Sequence, residues 1–347
     1  MVAAYSKRPY LYPAPSRRIA VSLVSVISFL LATVPSPAES SSVTRLAFFD
    51  YFYNVSGSGI PADSGAFAFR RIYLTYDANI DERFSARFRL EADGKELTSK
   101  GKLGVFVKDA SLKWTSLLPN TNGYIGLTAT PLWSRSEKVW GYRSVEKTIL
   151  DLRSLGTSAD VGVALEGNFK PASFHVLLAN GSGQAPENSR SKKIYASVPV
   201  FVGKGMIEAV ADYEALPGAR DRHTLKAFLG YPGERAALGV EWVQRTNRNA
   251  GTNGADVVPL GVSGFARVQA GSPVWLFARY DFYDPDSERD AGGYREHLWL
   301  GGLDWGASKN VHFIPNLSVV SYDAKDAATA DRDADVVARL TVAYNYE

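Results

Sequence analysis

Cysteine is absent from the 347 residues, so neither a disulfide framework nor a thiolate metal site can form. Histidine is scarce. His175, His223, His297 and His312 fall on separate segments without ligand spacing, so no metal and no cofactor is expected. None of the four is followed by a serine two residues on, and by alternation the faces flanking His297 offer no serine either. Ser173 shares a face with His175, but that face reads as water-lined rather than lipid-facing. A nucleophile and its base must lie within hydrogen-bond reach, so no enzyme is expected. The Ser-Gly-Ser-Gly run at 56–59 lacks the strand-to-helix context of a nucleotide fingerprint.

Past the first forty residues there is no apolar run long enough for a transmembrane helix. A strong charge of either sign is also missing. The formal charge is +3, and four of the cations (Lys7, Arg8, Arg17, Arg18) lie in the opening segment with no acid among them. The remainder is near −1, which argues against nucleic acid as a partner. That opening segment has the order of a secretory leader: basic residues, an apolar stretch over 19–34, then Ser36-Pro37-Ala38. The apolar stretch is shorter than the roughly 20 residues of a spanning helix. The expectation is a signal peptide over 1–38, cleaved after Ala38, and a single domain over 39–347.

What the domain has in abundance is alternation. Sixteen segments of about ten residues show period-two hydrophobicity between Gly, Asp, Asn and Pro clusters, the mark of transmembrane β-strands. They run 43–53, 66–77, 83–92, 103–115, 124–130, 159–168, 172–180, 193–202, 206–215, 223–231, 235–245, 258–270, 273–283, 294–306, 311–322 and 334–346. The connections sort themselves: 78–82, 232–234 and 271–272 are short, whereas 54–65, 93–102, 131–158, 181–192, 246–257, 284–293 and 323–333 are long and polar. Outer-membrane barrels alternate in this way, with short turns at the periplasm, so an even strand number puts both termini there. In the third segment Phe84, Ala86, Phe88 and Leu90 oppose Ser85, Arg87, Arg89 and Glu91. Sixteen strands enclose a lumen too wide for side chains to fill, so the polar face meets water and the apolar face meets outer-membrane lipid. Tyr76, Trp114, Tyr213, Tyr231, Trp242 and Trp305 then fit interfacial girdles. Some segments fit less well: the fourteenth, His297 to Leu303, reads apolar on both faces. The fold class expected is all-β: a 16-stranded antiparallel transmembrane β-barrel.

In such a barrel the chemistry is the field along the path. Arg71, Arg87, Arg89 and Lys113 lie inward on consecutive strands, and Arg339 joins them if the last strand closes on the first. Two readings stand open. The cations form a wall that attracts anions, or they pair with Glu91 and Asp109 as a lattice whose field cancels. The 131–158 segment adds Arg135, Lys138, Arg143, Lys147 and Arg153 against Glu137, Glu146 and Asp151. Its 144–155 part has helical spacing, with Ser144 as N-cap and Ile149, Leu152 and Leu155 on one face. Trp133, Trp140 and Tyr142 would be costly to leave in water, so this third extracellular loop is expected to fold inward and constrict the lumen. The alternative is an extracellular flap. These ten cations are the candidate selectivity residues.

Segment 138–167 resembles the phosphate-selective (polyphosphate-selective) porin superfamily. The resemblance is carried by Trp-Gly-Tyr-Arg at 140–143 and by the run from Asp151 to Gly167 (DLRSLGTSADVGVALEG). It extends more weakly to Arg71-Ile72-Tyr73-Leu74, to 81–88 and to Gly302-Leu303-Asp304-Trp305, in all about half of the chain. It implies a homotrimer that passes small hydrophilic solutes or anions. Phosphate-selective members line the path with an arginine and lysine ladder, whereas the inward cations here are scattered. The sequence therefore points to an outer-membrane pore for passive diffusion with a modest anion preference, phosphate among the anions. A barrel enzyme of lipase or deacylase type and a plugged structural barrel are the alternatives.

Overall fold

The computed structural model describes residues 40–57, 61–187, 190–290 and 292–346. The leader expected over 1–38 lies outside them. Sixteen antiparallel strands follow in order. The first eight are β1 (Ser41–Ser56), β2 (Ser64–Asn79), β3 (Phe84–Leu97), β4 (Leu103–Leu118), β5 (Thr121–Ala129), β6 (Ala159–Phe169), β7 (Ala172–Ala179) and β8 (Lys193–Val202). The second eight are β9 (Gly205–Glu214), β10 (Arg222–Pro232), β11 (Ala236–Asn247), β12 (Leu260–Gly271), β13 (Val274–Asp284), β14 (Tyr294–Ser308), β15 (Val311–Ala324) and β16 (Asp335–Tyr346). Each pairs with its chain neighbours. β16 pairs back onto β1, Arg339 opposite Phe52, so the sheet is a closed barrel without a free edge.

The two ends differ as the sequence requires. At one end the turns are two to four residues long (80–83, 119–120, 170–171, 203–204, 233–235, 272–273, 309–310), and β1 begins and β16 ends there. At the other end every connection is longer, from 98–102 up to 130–158. β4 and β5 run further than the alternation suggests, meeting at Leu118 opposite Thr121. Asn120 takes the left-handed conformation (φ 56°) that closes this tight turn, which Asn tolerates better than most residues. Ser116-Leu117-Leu118 does not alternate, which is why the strand end was hidden.

One parity of the strands is apolar and faces outward: Leu74, Tyr76, Phe88, Leu229, Leu238, Leu276, Trp299 and Leu317 are all exposed. Their neighbours on the other parity are buried or half-buried and largely polar, such as Arg71, Asp109, Lys226, Glu241 and Arg279. In water this arrangement would be inside out. An apolar belt around a polar interior is the arrangement lipid selects, and closure leaves no backbone group unpaired toward it.

Candidate functional site

The 130–158 connection is built to lie against the inner parity of the barrel. It carries two short helices, α1 (Ser134–Trp140) and α2 (Ile149–Leu152). α1 ends at Gly141, left-handed at φ 74°, where its N–H caps the Glu137 carbonyl. From there Val139, Trp140, Tyr142 and Val145 pack on Phe228, Phe265, Phe277, Leu298, Leu300 and Ile314, inner-parity residues of β10 and β12–β15. The Trp140 ring lies 5.3 Å from Phe265, and Tyr142 stacks on Phe277 at 4.2 Å. A second cluster joins Leu132, Trp133, Ile149, Leu150 and Leu155 to Leu177, Tyr195, Val210 and Val243. Each large side chain so buried contributes about 1.5–3 kcal/mol. The apolar inner face of β14, unexplained by alternation, is part of the surface on which the loop lands.

Polar pins complete the attachment. Lys226 Nζ donates to the Leu132 carbonyl (2.6 Å) and to Ser136 Oγ (2.9 Å). Arg70 donates to the carbonyls of Ser144 (3.0 Å) and Val145, and Arg279 donates to that of Lys147. These pins correct the helix expected over 144–155. Only Ile149–Leu152 is helical, Ser144 caps nothing, and Thr148 precedes the turn. The carbonyls of 144, 145 and 147 go to wall arginines instead of to a helix ladder. α1, by contrast, was not anticipated; Trp133 at its start supplies no cap that a sequence pattern could flag.

Opposite the loop, the inner face of β2–β4 is charged and mostly paired. Arg71 reaches Glu91 at 2.7 Å, and Lys108 reaches the same carboxylate at 3.1 Å. Arg89 pairs with Asp109 (3.2 Å) and Arg87 with Asp77 (2.7 Å). On the loop side Arg143 lies between Glu137 (2.9 Å) and Asp151 (3.2 Å), and Lys147 also reaches Asp151 at 3.1 Å. Between wall and loop is a cavity of about 600 Å³. Its charged lining holds five cations (Arg87, Arg89, Lys108, Lys113, Arg143) and five carboxylates (Asp77, Asp109, Glu137, Asp151, Glu166).

Of the ten candidate cations, Arg87, Arg89, Lys113 and Arg143 therefore line one space, with Arg71 and Lys147 bound to carboxylates at its margin. Lys113 makes no ion pair among the described residues. The other four lie elsewhere. Arg339 joins Arg70 at Glu146 (both 3.9 Å). Arg135 pairs with Glu208 (3.1 Å) on β9, and Arg153 pairs with Glu296 on β14 over the Tyr283 ring. Lys138 is exposed.

Two wall cations, Arg70 and Lys108, escaped the sequence reading for one reason. In β2 the register passes from Phe48–Arg71 to Phe49–Phe69, and in β4 from Arg89–Asp109 to Leu90–Val107. Each is a β-bulge, which turns two consecutive residues to the same face. The signal was present as a phase switch in the exposed apolar residues: Phe67 then Ile72, Leu74 and Tyr76; Val105 and Val107 then Trp114.

In the loop the titrations diverge. Burial raises the Glu137 carboxyl above its ordinary value against the opposing pull of Arg143. Burial acts on Glu146 too, but Arg70 and Arg339 outweigh it and hold that carboxyl low. Burial also lowers Lys147, with Arg143 adding to it against Asp151.

On the outer face His297 is held on both sides, by the Tyr280 hydroxyl at Nδ1 (2.8 Å) and by Asp323 at Nε2 (2.9 Å). The register sets Ser321 directly across from His297. This corrects the expectation that no serine flanks it: Ser321 lies on the adjacent strand, and pairing register cannot be read from alternation alone.

Comparison with known proteins bears on the fold. No protein-family model matches the chain, and no curated protein matches it in sequence. Solved structures do match. An anion-selective porin from Comamonas acidovorans superposes with TM-score 0.64 at 13% identity, over 88% of this chain and 99% of that one. The outer membrane channel DcaP of Acinetobacter baumannii gives 0.63 at 12% identity, over 90% and 99%. OmpF of Salmonella typhi, in complex with daunomycin, gives 0.63 at 10%, over 88% and 97%. At such identities the likeness shows a shared fold: the chain has the sixteen-stranded barrel of porins.

Proposed function

We propose that the protein is a porin of the bacterial outer membrane, letting small hydrophilic solutes and ions diffuse passively. The observation that carries this reading is the charged cavity of about 600 Å³ left open between loop and wall, inside a barrel with an apolar outer face. A plugged structural barrel would have that space filled. The loop acts as the constriction, with Arg87, Arg89, Lys108 and Lys113 facing Glu137, Arg143 and Asp151 across the path. The short-turn end, with both termini, lies at the periplasm, and the barrels assemble as homotrimers, as one similar solved structure, OmpT of Vibrio cholerae in its trimer form, is described. No catalysis is part of this function.

Selectivity is modestly anionic, phosphate being one anion to test. Pairing cancels most of the field of Arg71, Arg87 and Arg89, so the bias comes from cations outside ion pairs, Lys113 first among them. Single-channel recording in planar bilayers tests both parts. Discrete conductance steps with reversal potentials favouring chloride in a KCl gradient are expected. A folded, heat-modifiable barrel without steps would overturn the porin reading, and cation preference would remove the anion bias alone.

A second reading rests on Ser321, His297 and Asp323 clustered on the outer face. Hydrolysis of phospholipid or lipid ester by the folded protein, lost in H297A, would favour a barrel enzyme.

A further inference from the structure

Beneath the loop, toward the short-turn end, lies a second lumen cavity of about 730 Å³, roofed by residues 141–144 and walled by β12–β16 and β1. Its charge is not balanced. Arg143, Arg267 and Lys309 line it with one carboxylate, Asp304. Asp304 is already engaged by His312 Nδ1 at 2.8 Å. Arg267 is the cation left over. It makes no ion pair among the described residues, and its Nε is buried without a hydrogen-bond partner.

The guanidinium is nonetheless well positioned. It lies 5.3 Å over the Trp275 ring. It also abuts Gly141, where a Cβ would come within 2.9 Å of Nη1, so the glycine that ends α1 makes room for the arginine. Trp275 is itself unusual. The inner-parity aromatics Phe228, Phe265 and Phe277 are buried under the loop, whereas Trp275 stays half-buried at the edge of the cavity. An apolar ring beside a water-filled lumen and an unpaired planar cation beside it are each unfavourable alone. Together they complement one kind of molecule.

We infer that this cavity is a binding station for small organic carboxylates bearing a flat apolar group, of which benzoate is the simplest. The inference rests on the porin reading for its access from the lumen. The carboxylate accepts two parallel hydrogen bonds from the Arg267 fork, a geometry that lysine cannot match. The ring of the ligand lies along Trp275, and exposed Lys309 draws anions toward the site from the short-turn end.

The test measures binding apart from conduction. Sodium benzoate, sodium acetate and benzyl alcohol are titrated onto the folded protein in micelles and followed by saturation-transfer NMR, while the same preparation is recorded in bilayers. Benzoate is expected to saturate, with acetate and benzyl alcohol each weaker by about tenfold or more, because each lacks one half of the recognition. R267Q weakens benzoate by about tenfold or more, R267K restores only part of it, and W275L removes the advantage of benzoate over acetate. K100Q, in a loop at the opposite end, leaves binding as it was. Equal binding of benzoate and acetate, or unchanged benzoate binding in a heat-modifiable R267Q barrel, overturns the proposal. Conductance steps without benzoate binding retain the porin and discard this site. Benzoate binding without conductance retains the site and discards the porin. Should R267Q fail to fold, W275L and R267K decide.

Discussion

Around one circumference, the inner residues of β10–β15 include Phe228, Phe265, Phe277, Leu298, Leu300 and Ile314, while those of β2–β4 include Arg71, Arg87, Arg89, Lys108 and Asp109. Both stretches belong to the same sheet and face the same lumen. They differ in what covers them. The first is dry because the loop lies on it, and its energy is packing. The second meets water, and its cations are held by carboxylates on neighbouring strands. A barrel wall therefore need not alternate apolar and polar everywhere. Inner apolar residues mark where another part of the chain lands; inner charges either pin that segment from beneath, as Lys226 and Arg279 do, or line what remains open.

The dry side is the more sensitive to substitution. W140A removes the ring that touches Tyr142, Phe265 and Phe277, and truncating a buried Trp costs about 3–5 kcal/mol. The loop should become cleavable by protease in the folded barrel, and mean conductance should rise. An unchanged loop would mean that the polar pins suffice.

On the wet side the largest effect is expected at Glu91, which is buried and serves both Arg71 and Lys108. E91Q leaves Lys108 without its carboxylate and Arg71 with only Asp93 at 3.8 Å, at a stability cost of about 3–5 kcal/mol, and should shift the reversal potential in a KCl gradient clearly toward chloride. If it does not shift, the β2–β4 wall is not on the ion path.

Acid should act in two steps that separate loop from wall. The Glu137 pKa is raised, so it takes a proton first as pH falls toward the ordinary carboxylate range. That leaves Arg143 with Asp151 alone and strengthens anion preference while the loop stays attached. The Glu146 pKa is depressed, so its contribution to loop attachment is present above its unfolded pKa and is lost only as pH falls below that value. Reversal potentials and loop proteolysis recorded from pH 7 to pH 3 should change in that order. E137Q should show the first change already at pH 7.

The smallest effect is expected at Arg87, whose pair with Asp77 is half exposed. R87Q should alter stability by about 0–1 kcal/mol and barely move the reversal potential. A large shift would restore Arg87 as a dominant selectivity residue.

The barrel itself was legible in the sequence. Strand number, closure of the last strand on the first and the sorting of short turns from long loops all follow from alternation and turn residues, which are local. What escaped was what one strand cannot report about another. The double apolarity of the fourteenth segment was visible, but its cause, the buried cluster that Leu298 and Leu300 share with loop residues such as Tyr142 and Val145, is made from far along the chain. Ser144 looked like a helix cap because its pattern fits one, and nothing nearby reveals that Arg70 takes its carbonyl. Arg70 and Lys108 were lost to strict counting by twos, although the switch from Phe67 to Ile72 announced the slip. Parity should be recounted wherever the exposed apolar residues change phase.

Those two slips have a bearing on how such a barrel can change over generations. In an ordinary strand, one inserted residue turns everything after it to the wrong face, so gaining a codon is ruinous. In β2 and β4 the extra residue is absorbed where it stands, and the strand resumes with its oily side still toward the membrane. The lasting trace is one more charge on the inner face. A lineage of barrels can therefore retune its interior by lengthening a strand as well as by exchanging residues along it, and single-residue gaps between related chains should fall where the lining gains or loses a charge.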